Sequence, residues 1–231
     1  MTVAAVILAA NADSALEDAA GVARVRRIAD AAWAGGAMPI IIVAPDPDGK
    51  VAAALAGAPV TLAAPAPVEG GPVAQIARGA DLAIAEISAT AAALVWPARI
   101  CWAGPETVTS LIEAHGVDPD DLLRPAYGET AGWPALLPVA ALPALRALSP
   151  TAMPDELLAL LTTSRAVELR LLDLGDPGTV IDGDTARDDL PPYDGPTTPR
   201  GAHAHEWGAV AAATPEDAPL VGPSIAAPES R

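Results

Sequence analysis

The sequence has a single cysteine, one lysine and few basic residues overall. Because Cys101 is the only cysteine, the chain forms neither an internal disulfide nor a cysteine-based zinc site. Its 13 lysines and arginines face 29 aspartates and glutamates, and the formal net charge is −16. A charge of this sign makes contact with a phosphate backbone unfavourable, so we expect no nucleic-acid partner.

Long hydrophobic runs are also missing. No apolar stretch reaches the ~18–20 residues that span a bilayer, and no basic segment precedes the first apolar run as it would in a secretory signal. We therefore expect a cytoplasmic protein without a membrane partner. A domain of about 190 residues buries roughly 70% of its unfolded surface, so it needs no metal or disulfide for stability.

Short apolar runs alternate with segments of helical periodicity. The runs predict strands at 3–8, 38–43, 60–63, 91–96 and 166–172, and the periodic segments predict helices at 21–35, 51–55, 73–82, 105–115, 135–148 and 154–161. Alternation of this kind is typical of an α/β domain with a mainly parallel sheet. We place this domain at residues 1–190. Residues 191–231 are rich in proline, alanine and glycine and are expected to form a disordered tail.

The first strand leads into a segment of small residues. Val3–Leu8 is continuously apolar, as expected of a parallel strand buried on both faces. Ala9, Ala10 and Asn11 follow it, at the position where a phosphate-cradling loop begins in many nucleotide-binding α/β domains. The start of the chain therefore predicts a nucleotide-binding type of sheet.

Four segments between residues 3 and 190 carry motifs in a consistent order. They are AVILAAN with Gly21–Arg27 after it, EGGPV at 69–73, the stretch 94–107, and finally PAYG at 125–128 with GWPAL at 132–136 and the acidic stretch 175–190. In this order they resemble the MobA-like nucleotidyltransferases, which include molybdenum-cofactor cytidylyltransferases. The resemblance implies a three-layer, Rossmann-like nucleotide-diphospho-sugar transferase fold.

The resemblance also implies a set of site residues. The nucleotide would contact the loop after the first strand, one arginine of the following helix, the Gly-Gly-Pro segment and the end of the third long strand: Leu8, Ala9, Ala10, Asn11, Arg24, Gly70, Gly71, Pro72 and Arg99. Asp182 and Asp184 match the acidic segment of the family and are the candidate metal ligands. The metal would be Mg²⁺ if the protein is active, and the ligand a nucleotide or a pterin cofactor.

The sequence departs from the family where the chemistry takes place. Asn11 replaces the loop glycine, the loop is acidic, and Lys50 lies too far along the chain to serve it. Arg99 stands where the family has its metal-binding aspartate. A guanidinium stays protonated and has no acceptor atom, so it cannot ligate Mg²⁺. The sequence therefore assigns no catalytic residue.

Three hypotheses follow. The first is a catalytically degenerate member of the family that acts as a nucleotide-binding, cofactor-binding or accessory protein. The second is an active transferase with relocated ligands, using Asp13, Asp182 or Asp184 for metal and Arg24 or Arg99 for phosphate. The third is a structural subunit that docks on a protein partner through its acidic surface or its tail.

Structural roles compete with these assignments. Asp182 and Asp184, together with Thr185, could instead cap a last helix that begins near Arg187. For Arg99 we favour an ion pair with Asp182 or Asp184 over an anion site. For the Gly-Gly-Pro segment, packing on a base and an ordinary helix start are weighted equally.

Overall fold

The computed structural model describes residues 2–195, and within them the chain forms one eight-stranded sheet. The strands are β1 (Thr2–Leu8), β2 (Ile40–Val43), β3 (Thr61–Ala63), β4 (Thr90–Pro97), β5 (Leu122–Tyr127), β6 (Thr130–Ala131), β7 (Ala135–Pro138) and β8 (Leu169–Asp173). Their order is β3-β2-β1-β4-β7-β5-β6, and β8 pairs with β5. Strands β3, β2, β1 and β4 are mutually parallel, as are β5 and β8, whereas β7 and β6 run antiparallel to their neighbours.

Helices cover both faces of the sheet. They are α1 (Ala12–Leu16), α2 (Arg24–Ala34), α3 (Lys50–Ala54), α4 (Gly71–Glu86), α5 (Pro105–Val117), α6 (Leu142–Arg146) and α7 (Pro154–Thr163). Helices α2 and α5 pack together on one face, and α4 contacts α6 and α7 on the other. The predicted three-layer α/β architecture with a mostly parallel sheet is therefore confirmed.

The two faces of β1 explain why it lies at the centre. Val3, Ala5 and Ile7 belong to the apolar cluster under α2, whereas Ala4 and Val6 belong to the cluster on the side of α4. Because successive side chains of a strand point to opposite faces, a run without polar residues is stable only between two layers. The apolar pattern of the sequence thus determines the position of this strand.

Residues 135–148 were predicted as one helix, and this prediction was wrong. Ala135–Pro138 forms the fully buried strand β7 between β4 and β5, a 3₁₀ turn follows, and helix α6 covers only Leu142–Arg146. Alanine and leucine favour a helix locally, but burial between two strands outweighs that preference. Strand β5 was not predicted, because Arg124 and Pro125 interrupt its apolar pattern.

The candidate site lies at the carboxyl ends of β1 and β4, where the order of strands reverses. The sheet continues from β1 through β2 to β3 in one direction and through β4 in the other. Open α/β sheets bind their ligands in the crevice beyond such a switch point. Here the amide of Ala98 donates to the carbonyl of Leu8 at 2.8 Å, so the two loops leave the sheet side by side.

The segment after the last strand stays close to the rest of the described chain. The amide of Asp194 donates to the carbonyl of Gly175 at 2.9 Å. The predicted disordered tail lies almost entirely outside the described residues. In residues 2–195, no helix is both long and apolar enough to cross a membrane.

His115 of α5 makes the stability of this domain depend on pH. Its side chain is 1% exposed, and neither ring nitrogen has a hydrogen-bond partner among the residues that the structure describes. Burial lowers the pKa of His115 below its ordinary value, although Asp120 opposes the shift. The native state therefore binds this proton less readily than the unfolded state, and stability is lost as the pH falls below about 6.5.

Between pH 7.5 and 5.5 we expect His115 to reduce the free energy of unfolding by up to about 1.4 kcal/mol. Urea unfolding at the two pH values measures this loss. A His115→Leu variant has no imidazole to protonate and should lose less stability over the same interval. An equal loss in both proteins would contradict the assignment.

Candidate functional site

The loop after β1 is closed by a helix cap. Asn11 precedes α1, its side-chain oxygen accepts from the amide of Ser14 at 2.7 Å, and the Ser14 hydroxyl faces the Asn11 amide at 3.2 Å. This reciprocal pair is a capping box. Ala9 is buried and its amide donates to the carbonyl of Val43, whereas Ala10 is exposed. The Asn11 side chain is therefore engaged in local structure.

Arg24, the first residue of α2, is buried and surrounded by carboxylates. Its guanidinium lies 2.9 Å from Glu17, 2.5 Å from Asp184 and 3.9 Å from Asp182, and its Nε has no hydrogen-bond partner within residues 2–195. Burial opposes the charged form, but the hydrogen bond that Arg24 donates to Asp184 and the charge of Glu17 more than compensate. The net effect raises the pKa of Arg24, so the guanidinium stays charged.

Arg99 follows β4 and is held more loosely. Its side chain is 52% exposed, and its nitrogens lie 3.5 Å from Asp182 and 3.9 Å from Asp155. The predicted pairing with Asp182 is thus present, at a distance and exposure for which ion pairs contribute about 0–1 kcal/mol. Asp155 also accepts from Arg124 at 2.9 Å, and Arg124 stacks over Trp133.

The turn at residues 182–184 joins the two arginines. The amide of Gly183 donates to the carbonyl of Arg99 at 2.7 Å, and a Cβ on Gly183 would lie 2.7 Å from the Cys101 sulfur and 2.8 Å from Nε of Arg24. Neither aspartate caps a helix. The chain forms only a 3₁₀ turn at Arg187–Asp189, with Ala186 at its start, so the predicted helix cap was wrong.

This donor set does not fit a divalent cation. Asp182 faces two guanidiniums, and Asp184 is hydrogen-bonded to one of them. Among residues 2–195, no group of three or more histidine, cysteine, aspartate or glutamate side chains is arranged to hold a metal ion. Metal ligation by Asp182 and Asp184 would require both arginines to move away.

The Gly-Gly-Pro segment forms the start of α4, where Gly71 packs against Pro150 and Gly70 lines a cleft of about 790 Å³. Gly71 has φ +57°, and a Cβ there would lie 1.7 Å from the carbonyl oxygen of Pro150. Close approach of two backbones therefore accounts for this glycine. Within the described residues, no hydrogen bond or ion pair joins Gly70, Gly71 or Pro72 to Arg24 or Arg99.

A cleft of about 580 Å³ lies between α2 and the loop after β4, beside Arg24 and the turn at residues 182–184. Its lining includes Arg27, whose guanidinium stacks over Trp102 at 5.1 Å, and the buried Cys101. Burial raises the pKa of Cys101 against the effect of Arg24 and Arg27, so the group is a neutral thiol. Asp176 forms part of the wall and accepts from Gly104, Thr107 and Gly178.

The structure adds Asp155 and Arg124, which the sequence did not indicate, and it identifies Glu17 of the acidic loop as a partner of Arg24. Glu17 and Asp155 complete the ion pairs of Arg24 and Arg99, and Arg124 shares Asp155. Asp155 and Arg124 are distant from Arg99 along the chain, so no local spacing reveals them. The acidic first turn of the predicted helix at 154 was the available signal for Asp155.

Solved structures with this fold include several nucleotidyltransferases. A nucleotidyl transferase from Methanothermobacter thermautotroptrophicus is 18% identical with a TM-score of 0.61, covering 74% of this chain and 87% of its own. Rv0371c from Mycobacterium tuberculosis, in complex with manganese, is 16% identical with a TM-score of 0.57 and coverages of 75% and 89%. A CMP:2-keto-3-deoxy-manno-octonic acid synthetase complexed with CTP is 13% identical, with a TM-score of 0.53 and coverages of 75% and 90%.

Sequence comparison gives a family but no individual relative. No curated protein matches the chain. The sequence model of the MobA-like NTP transferase domain matches residues 5–166, a span that includes the second half of β1, the Gly-Gly-Pro segment and Arg99. The chain belongs to the MobA-like NTP transferase domain family.

Proposed function

We propose that this protein is a catalytically degenerate member of its family that binds a nucleotide or a phosphorylated pterin cofactor and acts as a binding or accessory protein. The solved structures that share this fold include one complexed with CTP and one complexed with manganese. This chain would keep the ability to bind a nucleotide and would lack metal-assisted transfer.

One observation supports the proposal above the others. Asp182 lies between the guanidiniums of Arg24 and Arg99, with its two oxygens at 3.9 Å and 3.5 Å from them. A metal-assisted transferase needs carboxylates gathered around a cation. Exchanging a carboxylate for a guanidinium changes the local charge by two units. A pair of unit charges ~4 Å apart interacts by about 4 kcal/mol at an effective dielectric constant of 20.

Each arginine has a role in this proposal. Arg99, half exposed and loosely paired, offers fixed positive charge to a phosphate at the end of β4. Arg24 holds the loop after β1 to the 182–184 turn through Glu17 and Asp184. Neither supplies the Lewis acidity that a metal ion gives to phosphoryl chemistry, so we expect no transfer.

An active transferase with relocated ligands is the alternative, and the exposure of Asp184 favours it. The Asp184 side chain is 74% exposed, so it can leave Arg24 without entering a less polar environment. In that case Mg²⁺ would be bound together with the nucleotide. The two functions differ in whether ligand binding depends on metal.

Thermal shift of the full chain separates the two functions. CTP, GTP, ATP and UTP are each added with Mg²⁺ and with EDTA. A ligand at a hundredfold excess over its Kd stabilises the native state by ~2.7 kcal/mol. We expect at least one nucleotide to raise the melting temperature equally in both buffers. We also expect no CMP or GMP incorporation into a pterin or sugar-phosphate acceptor.

Incorporation above the level of a no-protein control would overturn the proposal. So would a shift that appears only with Mg²⁺. If no nucleotide shifts the melting temperature, nucleotide binding is refuted and the structural-subunit hypothesis gains support.

A further inference from the structure

Two arginines from different parts of the chain converge on a single carboxylate. Arg24 begins α2 and Arg99 follows β4, yet Nη1 of each faces a different oxygen of Asp182, at 3.9 Å and 3.5 Å. A phosphate group also presents separate oxygens to two guanidiniums and forms charge-assisted hydrogen bonds with them. Asp182 therefore occupies the position that such an anion would take.

The carboxylates leave part of the donor capacity of both arginines unused. A guanidinium carries five N–H donors. The contacts of Arg99 with Asp182 and Asp155 are 3.5 Å and 3.9 Å long, beyond the usual length of a strong charge-assisted bond. Nε of Arg24 lies on a side chain only 4% exposed and has no partner in the described chain. A buried donor without an acceptor costs free energy, and Nε lies against Gly183 of the turn, so an anion that takes the place of the turn would satisfy it.

The turn that carries the two aspartates is held by few contacts. Side-chain exposures of 40% for Asp182 and 74% for Asp184 place both carboxylates at the surface. One amide bond, from Gly183 to the Arg99 carbonyl, and one indole bond, from Trp102 to the carbonyl of Thr185, attach the turn at this side. Its displacement therefore breaks two neutral hydrogen bonds and the ion pairs of Asp182 and Asp184 with the two arginines, which the incoming anion replaces. The carboxylates that are released are already partly in water.

We propose that Arg24 and Arg99 form a metal-independent site for a phosphate-bearing anion, and that Asp182 and Asp184 occupy this site until the anion displaces them. The inference rests on the proposed function, for which it names the phosphate subsite and its internal competitor. A phosphate monoester carries about −1.5 to −2 charge near neutral pH, comparable with the two carboxylates that it displaces, and it brings that charge and three acceptor oxygens to the arginines in a single group, which favours the exchange. The acidic turn thus lowers the affinity of the protein for its ligand.

Calorimetric titration of the full chain in EDTA, with CTP and separately with inorganic pyrophosphate, tests the inference. The variant Asp182→Asn/Asp184→Asn keeps the shape of the turn and removes its charge. The control, Asp188→Asn/Asp189→Asn, makes the same change in net charge in the next turn, on exposed side chains without an ion pair in the described chain. We expect the first variant to bind both probes about tenfold more tightly than the wild type, and the control to stay within about twofold.

A single Asp182→Asn variant guards against misfolding, because it leaves the bonds from Arg24 to Asp184 and Glu17 in place. It should show an intermediate gain. Equal affinities in the two double variants would overturn the inference, as would absence of pyrophosphate binding in every protein. CTP binding that no substitution alters would leave the proposed function standing without the inference. If the Asp182→Asn/Asp184→Asn variant bound pyrophosphate more tightly and no protein bound CTP, the anion site would stand and nucleotide binding would be refuted.

Discussion

Replacing Gly71 by alanine is expected to destabilise the protein by about 3 kcal/mol or more. The backbone there has φ +57° and ψ −161°, a conformation that residues with a Cβ rarely adopt. The new Cβ would also lie 1.7 Å from the carbonyl oxygen of Pro150, so either helix α4 or the turn at Pro150 must shift. Urea unfolding measures the loss, which corresponds to a fall in melting temperature of roughly 6–12 °C.

Substitutions at two further glycines separate the effect of backbone strain from that of the close contact with Pro150. Gly49→Ala places a Cβ at φ +72° with no atom within 4 Å, so it should cost about 1 kcal/mol from backbone strain alone. Gly116→Ala, near the end of α5 and without a close neighbour, should be neutral or slightly stabilising. If Gly71→Ala were no worse than Gly49→Ala, the close contact with Pro150 would not explain the Gly-Gly-Pro segment.

The variant Arg99→Asp is expected to bind Mn²⁺ at least about tenfold more tightly than the wild type. The amide of Gly183 donates to the carbonyl of residue 99, so a carboxylate introduced there stands beside Asp182. The substitution also removes the guanidinium that faces Asp182 and Asp155 in the wild type. Oxygen ligands then replace a repelling charge, and electron paramagnetic resonance of free Mn²⁺ reports the binding.

The matched control is Arg99→Asn, which removes the same positive charge without adding a second carboxylate. It should bind Mn²⁺ less tightly than Arg99→Asp. Equal binding by both variants would mean that loss of repulsion alone is sufficient. Strong Mn²⁺ binding by the wild type would contradict the account of Arg99 altogether.

The part of the fold that the sequence predicts is the part built from local apolar runs. Strands β1, β2 and β4 are largely buried and β3 is partly buried, and all four were found close to their predicted bounds. The residues of β7 were assigned to a helix because alanine and leucine favour a helix locally and do not reveal which strands lie beside them. Only the pairing with β4 and β5 decides between the two structures.

The candidate site divides in the same way. The resemblance to the family brought Arg99 and Asp182 to one end of the sheet, and the ion pair between them was found. The sequence did not reveal that Asp182 is shared with Arg24, or that Asp155 links Arg99 to Arg124. These contacts join residues that are distant along the chain, and they depend on how the loops leave the sheet.

The affinity of the wild-type protein for CTP, measured by calorimetry in Mg²⁺ and in EDTA, tests the central claim most directly. If arginines have taken the place of the metal, the two dissociation constants should agree within about twofold, since no metal ion takes part in binding. Tightening by Mg²⁺ of about tenfold or more would contradict the claim, because the carboxylates of the 182–184 turn would then be acting as metal ligands.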